Sequence, residues 1–63
     1  MVDAPVSAQQ LLRAARMFEM NGDAISAIFT YREVILAGEP VTAARARQRV
    51  EALARLAWPE RPA

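Results

Sequence analysis

The chain has 63 residues and a net charge of +1; 54% of its residues are hydrophobic and 24% are charged. A domain of this length buries only about 60% of the surface of its unfolded chain, so it usually needs a disulfide, a metal ion or another chain for stability. Cys and His are both absent, which excludes disulfides and thiol chemistry and removes the commonest metal ligand and general base. Another chain is the support that remains, either a copy of this protein or a larger partner.

Both ends of the sequence are predicted to be short tails, residues 1–6 and residues 59–63, around one small helical domain. The first tail lacks the basic and apolar regions of a secretory signal, and no apolar run reaches the roughly 20 residues that span a bilayer. We therefore expect a cytoplasmic protein. All eight basic residues are Arg, which we attribute to a GC-rich bacterial genome rather than to function.

The first helix is predicted from about Ala8 to Met20. Ser7 is a favourable N-cap, and Gln10 completes a capping box three residues later. At about 100° per residue, one face of this helix is apolar. The residues on it are Leu11, Ala14, Ala15 and Phe18, with Leu12 at its edge. The helix is expected to stop at Asn21-Gly22, because both residue types tolerate the left-handed conformation of a C-terminal cap.

The second helix is predicted from about Ala24 to Ala37, with Asp23 as its N-cap and Gly38 at its end. One dense apolar face consists of Ala24, Ala27, Ile28, Tyr31, Val34 and Ile35. A second apolar stripe lies on the far side and consists of Ile25, Phe29 and Leu36. A helix that is apolar on two sides is buried on two sides, so one side is expected to take the first helix. We expect the third helix to cover the second stripe, and any part left bare to drive dimerisation or docking.

The third helix is predicted from about Ala43 to Ala57, with Thr42 as its N-cap, since Pro40 cannot continue the second helix. Trp58 follows and is expected to fold back on the small core, whereas an exposed Trp would be a natural interface anchor. The apolar stripe of the helix consists of Ala46, Val50, Leu53, Ala54 and Ala57. Because the connections are short, the predicted fold class is all-α, with three antiparallel helices.

The first two helices place small and aromatic residues at regular spacings around a Gly-Asp turn. These residues are Leu11, Ala14, Ala15, Phe18, Gly22, Asp23, Ala27 and Tyr31. The pattern, from about Ala8 to Val41, resembles a tetratricopeptide repeat, a helical hairpin of about 34 residues. Val34 stands where the family normally has Ala, and the closing Pro is displaced by one residue to Pro40. A generic three-helix bundle is the alternative interpretation.

The resemblance implies a function in protein binding. The inner face of the family's first helix is the usual ligand-binding surface, and here that face is Gln9, Leu12, Arg16, Glu19 and Met20. An ordinary solvated face is the alternative. The third helix has Arg and Gln at positions that are apolar or small in the first helix of a following repeat. It therefore resembles the polar capping helix that ends an array of repeats. An array normally needs about three units for stability, which favours self-association or docking on a larger protein.

The third helix is also locally basic, through Arg45, Arg47, Arg49 and Arg55. A small regulator that binds nucleic acid through this helix is therefore the alternative hypothesis, although neither base-reading nor stacking residues accompany the charges. Ion pairs of Glu51 with Arg47 and Arg55 would instead make this an ordinary solvated face, which we favour.

Catalysis has little support in the sequence, because the carboxylates are scattered and no phosphate-binding loop or metal cluster occurs. The leading hypothesis is an interaction module without enzymatic activity, cofactor or small-molecule substrate. It would serve as an adaptor, accessory subunit or small chaperone, or as a homo-oligomer. Its predicted partner-binding residues are the inner face of the first helix together with Ile25, Phe29, Leu36 and Trp58.

Overall fold

The computed structural model describes residues 7–58, and three α-helices account for most of them. The helices are α1 (Ala8–Met20), α2 (Ala24–Ala37) and α3 (Pro40–Ala57). Both α1 and α3 pack on α2 and barely touch each other, so α2 is the central helix. The chain reverses direction at each short connection, which confirms the predicted all-α fold of three antiparallel helices. The two predicted tails lie outside the described residues.

The helix ends around the first turn form as the sequence predicts. The Ser7 hydroxyl accepts a hydrogen bond from the Gln10 backbone N–H at 3.1 Å, and the Gln10 side chain accepts one from the Ser7 N–H at 3.0 Å. In the following turn Gly22 has a φ of 78°, a conformation that favours glycine. The Asp23 carboxylate then accepts from the Ser26 backbone N–H at 3.0 Å and caps α2.

The third helix begins earlier than predicted, at Pro40 instead of Ala43. Thr42, the predicted N-cap, lies in the first turn and is buried. The N-cap is Glu39, whose carboxylate accepts hydrogen bonds from both the backbone N–H and the hydroxyl of Thr42. Pro40 fits this place because the first helical residue needs no N–H donor and the φ of proline is already helical.

The core forms where the three helices meet, and it combines very small residues with a few larger ones. Ala15, Ala27 and Ala46, one from each helix, are fully buried, which allows the helix axes to approach closely. The larger members of the same cluster are Ile28, Tyr31, Val34 and Leu53. The apolar stripe of α1, the first stripe of α2 and the stripe of α3 therefore share one core.

The second apolar stripe of α2 is not covered by α3, contrary to the expectation from the sequence. Ile25, Phe29 and Leu36 are 43%, 60% and 79% exposed. The reason is that α3 packs on the same buried face of α2 that α1 uses, so the opposite arc of α2 receives no neighbour among residues 7–58. The expectation for Trp58 was also wrong, because this residue is the C-cap of α3 and is 56% exposed.

The substitution Ala27→Leu is expected to lower the free energy of unfolding by about 1–3 kcal/mol, because the added carbon atoms have no room at the helix crossing. Urea denaturation followed by circular dichroism measures this change. Ala44→Leu adds the same atoms at an exposed position of α3, where a change below about 0.5 kcal/mol is expected. Equal losses in the two variants would contradict a close helix approach at Ala27.

Candidate partner-binding groove

A groove runs between α1 and α3, which lie side by side on the central helix without packing closely on each other. Its volume is about 580 Å³, and Tyr31 of α2 lies at its base. One wall comes from α1 and consists of Leu12, Arg16, Glu19 and Met20. The opposite wall comes from α3 and consists of Arg45, Gln48 and Arg49.

The groove continues towards the start of α3 as a second depression of about 380 Å³. Leu12 and Arg45 line both parts, so the two depressions adjoin each other along the same pair of helices. The additional residues of this end are Gln9, Glu39, Val41 and Thr42. The lining of the two depressions together therefore includes apolar, amide, guanidinium and carboxylate groups.

Glu19 is the centre of a hydrogen-bond network that joins all three helices. The buried Tyr31 hydroxyl of α2 donates a hydrogen bond to its carboxylate. Arg49 of α3 donates to both carboxylate oxygens, from Nη2 at 2.5 Å and from Nε at 3.2 Å. The Glu19 side chain is 19% exposed and that of Arg49 is 47% exposed, so the ion pair is only partly screened by water.

The network sets the charge state of both acidic groups in it. Hydrogen bonding from Arg49 lowers the pKa of Glu19; the Tyr31 hydroxyl and the positive charges of Arg49 and Arg16 act in the same direction, against the effect of burial. Burial raises the pKa of Tyr31 to about 12, and its hydrogen bond to the Glu19 carboxylate adds to the increase. At neutral pH the groove therefore holds a carboxylate and a neutral phenol in fixed positions.

The groove carries an excess of positive charge. Three guanidinium groups line its main part, where Glu19 is the carboxylate that opposes them, and Glu39 adds a second carboxylate in the continuation. Arg49 is committed to Glu19, whereas Arg16 and Arg45 form no ion pair within residues 7–58. These two exposed guanidinium groups remain available to an incoming carboxylate.

The residues predicted to bind a partner fall on separate surfaces. All five residues of the inner face of α1 line the groove or its continuation: Gln9, Leu12, Arg16, Glu19 and Met20. Ile25, Phe29 and Leu36 lie on the exposed arc of α2 and line neither depression. Trp58 lies at the end of α3, again away from the groove. The structure thus assembles one part of the predicted set and separates the rest.

Sequence reasoning missed the contribution of α3 and of Tyr31 to the groove. The sequence predicts that Arg45 and Arg49 belong to a solvated face, whereas in the structure they form the wall opposite α1. The predicted pairs of Glu51 with Arg47 and Arg55 do not form between these described residues. One signal was present in the sequence: a Tyr on a core stripe needs a hydrogen-bond partner for its hydroxyl, and Glu19 is a suitable acceptor.

None of the helices within residues 7–58 combines the length and the apolar character that a membrane crossing requires. Over the same residues, His, Cys, Asp and Glu form no group of three that could hold a metal ion. The polar chemistry of the groove is that of guanidinium, carboxylate, amide and phenol groups.

Comparison of the chain with models of protein families, with curated proteins and with solved structures found no match. The fold and the two exposed surfaces are therefore the observations from which a function can be inferred.

The Glu19 carboxylate is expected to make the protein less stable in acid. Its pKa is lowered from the ordinary value of 4.5 by folding, so its stabilising effect is complete above about pH 4.5 and is lost as the pH falls through the lower, folded value. Asp23 and Glu39 have lowered pKa values for a similar reason, because each accepts hydrogen bonds at a helix start, and they act in the same window.

Glu19→Gln is expected to cost about 1–2 kcal/mol at neutral pH and to reduce the loss of stability between about pH 5 and pH 3. Urea denaturation at several pH values measures both effects. Glu51→Gln is the control, since Glu51 is exposed and makes no ion pair within residues 7–58. A pH dependence that is identical in the wild type and in Glu19→Gln would contradict the role given to this carboxylate.

Tyr31 is the one tyrosine of the chain, so the ultraviolet absorbance of its phenolate reports on it alone. The expected titration midpoint is about 12, the pKa of the Tyr31 phenol in the folded protein. Glu19→Gln should lower this midpoint part of the way towards the ordinary value, because the hydrogen bond to the carboxylate is lost while burial remains. Circular dichroism at each pH identifies unfolding. A midpoint near the ordinary value of 10 with helicity intact would contradict the buried, hydrogen-bonded hydroxyl.

Proposed function

We propose that this chain is a protein–protein interaction module. The observation that supports this proposal is the distribution of its large apolar side chains. Among the described residues, four of the large apolar side chains are buried: Ile28, Tyr31, Val34 and Leu53. Twice as many are exposed: Met17, Met20, Ile25, Phe29, Val41, Leu36, Leu56 and Trp58. Five more, Leu11, Leu12, Phe18, Ile35 and Val50, are partly buried against this core. Single exposed apolar residues are normal on proteins, but eight large ones on so small a domain are characteristic of a surface that another protein covers.

We propose that the groove binds a partner protein other than a second copy of this chain. Its walls offer apolar contact through Leu12 and Met20, the latter 84% exposed, and Met side chains adapt readily to different ligands. Arg16 and Arg45 add two positive charges within the same walls. A protein segment that presents acidic and apolar residues together is complementary to this arrangement, and Arg favours bidentate binding of carboxylates.

The module would work without enzymatic activity, as an adaptor, an accessory subunit or a small chaperone in the cytoplasm. Its ligand is held by burial of apolar surface and by charge complementarity, and no bond of the ligand is changed. The hairpin of α1 and α2 is proposed to be a tetratricopeptide-like unit, with α3 as its cap. Ala15 of α1 and Ala27 of α2, both fully buried in one core cluster, support this proposal.

Binding of nucleic acid is the competing function, and the arrangement of the basic residues favours a protein ligand over it. Arg49 is tied to Glu19, and Arg47 and Arg55 line neither depression of the groove. The basic residues of α3 therefore do not combine into one uninterrupted surface, which a phosphate backbone would need.

The proposed binding can be tested with a fluorescent peptide of glutamate, leucine and alanine, and with a matched peptide in which lysine replaces glutamate. Fluorescence anisotropy measures binding to the full chain. The acidic peptide is expected to bind and the basic one is not. Reversing two charges with Arg16→Glu and Arg45→Glu together should weaken binding of the acidic peptide about tenfold, because both favourable pairs become repulsive.

The matched control reverses two exposed charges outside the groove, Arg13→Glu and Arg55→Glu, and should leave the affinity within about twofold, since distant exposed charges are screened by salt. A single-stranded oligonucleotide is the competing probe. Salt-sensitive binding of the oligonucleotide, without binding of the acidic peptide, would replace the proposed function with the nucleic-acid hypothesis. Equal effects of the two double variants would exclude the groove as the site.

A further inference from the structure

The exposed arc of α2 carries a narrow stripe in which a charged residue interrupts the apolar ones. Ile25, Phe29, Arg32 and Leu36 are all exposed and fall within about 60° of one another around the helix. The Arg32 guanidinium lies over the Phe29 ring, 6.0 Å from its centroid. We call these four residues the outer stripe. It shares no residue with the groove.

The spacing of the outer stripe is that of a helix–helix seam. Its members are separated by four, three and four residues, which is the alternation of the two core positions of a coiled coil. The stripe spans about 16 Å of helix at 1.5 Å per residue. Its four residues would therefore form four layers of side-chain contacts in a pair of such helices. A charged residue within such a seam selects the register and orientation in which two helices can pair.

The chemistry of the stripe is complementary to itself in one orientation. If two copies of α2 pack antiparallel about a two-fold axis between positions 30 and 31, Ile25 of each copy lies opposite Leu36 of the other. In the same arrangement each Phe29 ring lies opposite the other copy's Arg32, which places a guanidinium between two aromatic rings. A parallel, in-register pair would instead bring the two Arg32 charges together.

We propose that the outer stripe is the interface of an antiparallel homodimer in which α2 packs on α2 of a second copy. The dimer rests on the proposed function, because it names the partner of one of the two exposed surfaces, and it concerns a surface that the groove ligand does not touch. The pairing of Ile25 with Leu36 and of Phe29 with Arg32 buries the apolar stripe and places each guanidinium against aromatic rings, where the attraction between a cation and a ring face favours it. The occupant is a second copy because reversing the stripe about its centre sets each apolar end against an apolar end and each guanidinium against an aromatic ring.

Sedimentation equilibrium of the full chain over a range of concentrations tests the dimer. A single-helix face is at the small end of interface areas, so a dissociation constant on the order of 10–100 µM is expected. Phe29→Ala should weaken the dimer about 100-fold, since a two-fold interface loses the ring from both copies and each loss is expected to cost about tenfold. Met17→Ala, which shortens an exposed side chain of α1, is the matched control and should change the constant less than about threefold.

Circular dichroism at the same concentrations shows whether the variants stay folded, as expected for a side chain outside the core cluster. The exchange of the two central residues, Phe29→Arg with Arg32→Phe, keeps their pairing and should retain the dimer within about tenfold, whereas Phe29→Arg alone should abolish it. A protein that stays monomeric at millimolar concentration, or equal weakening by Phe29→Ala and Met17→Ala, would overturn the proposal.

Orientation is tested by cross-linking, which is clean because the chain has no cysteine of its own. Ile25→Cys and Leu36→Cys variants are prepared separately, mixed and oxidised. The antiparallel dimer predicts a disulfide between the two different variants and little cross-linking of either variant alone. Homodimeric cross-links of each single variant would show a parallel pair and overturn the proposed orientation.

The two proposals fail separately. Phe29→Ala should lose the dimer and still bind the acidic peptide, while Arg16→Glu with Arg45→Glu should lose the peptide and still dimerise. A monomer that binds the peptide through the groove would overturn the dimer and leave the proposed function intact. A dimer that does not bind the acidic peptide would contradict the groove as a ligand-binding site and would leave the outer stripe as the dimer interface.

Discussion

The central helix supplies buried surface to both of its neighbours, and this shared use of one face shapes the whole molecule. Ala27 is fully buried in α2, and Ala15 of α1 and Ala46 of α3 meet it in the same cluster. Because both neighbours use the same face, they come to lie side by side and leave a groove between them. The same sharing leaves the remaining arc of α2 in contact with water, including its second apolar stripe. Groove and stripe are thus two results of one packing arrangement.

Alanine contacts bring the helices close but do not fix how they are rotated or spaced, since apolar packing has little directionality. The network around Glu19 provides the missing direction. A phenol from α2 and a guanidinium from α3 meet one carboxylate of α1, and each contact has a preferred distance and angle. The position of the α3 wall relative to the α1 wall is therefore set by a polar contact within the groove itself. A ligand that competed for Arg49 would disturb the geometry of its own binding site.

The sequence predicted the local features of the fold well and the long-range ones poorly. The bounds of α1 and α2 follow from Ser7, Gly22, Asp23 and Gly38, because each cap depends on residues at most a few positions away. The start of α3 was placed too late because Pro40 was interpreted as a barrier rather than as a first helical residue.

The candidate site was only partly predictable for the same reason. The inner face of α1 followed from helical periodicity and a family resemblance, but its contact with Arg49 joins residues far apart in the chain. Two apolar stripes on α2 were visible in the sequence. Which of them α3 would cover depends on the packing of three helices together, which no local pattern determines.

The separation of the groove from the outer stripe has a consequence for how tightly this small protein could hold a target. Two copies that pair through their α2 helices would present two open grooves related by the two-fold axis, since the groove contributes no residue to the outer stripe. A target with two acidic segments could then occupy both grooves at once, and the second attachment would occur at a high effective concentration. Two weak interactions would then give a much higher overall affinity than either alone. This requires that the linker between the two acidic segments of the target is long enough to reach both grooves of the 63-residue chains.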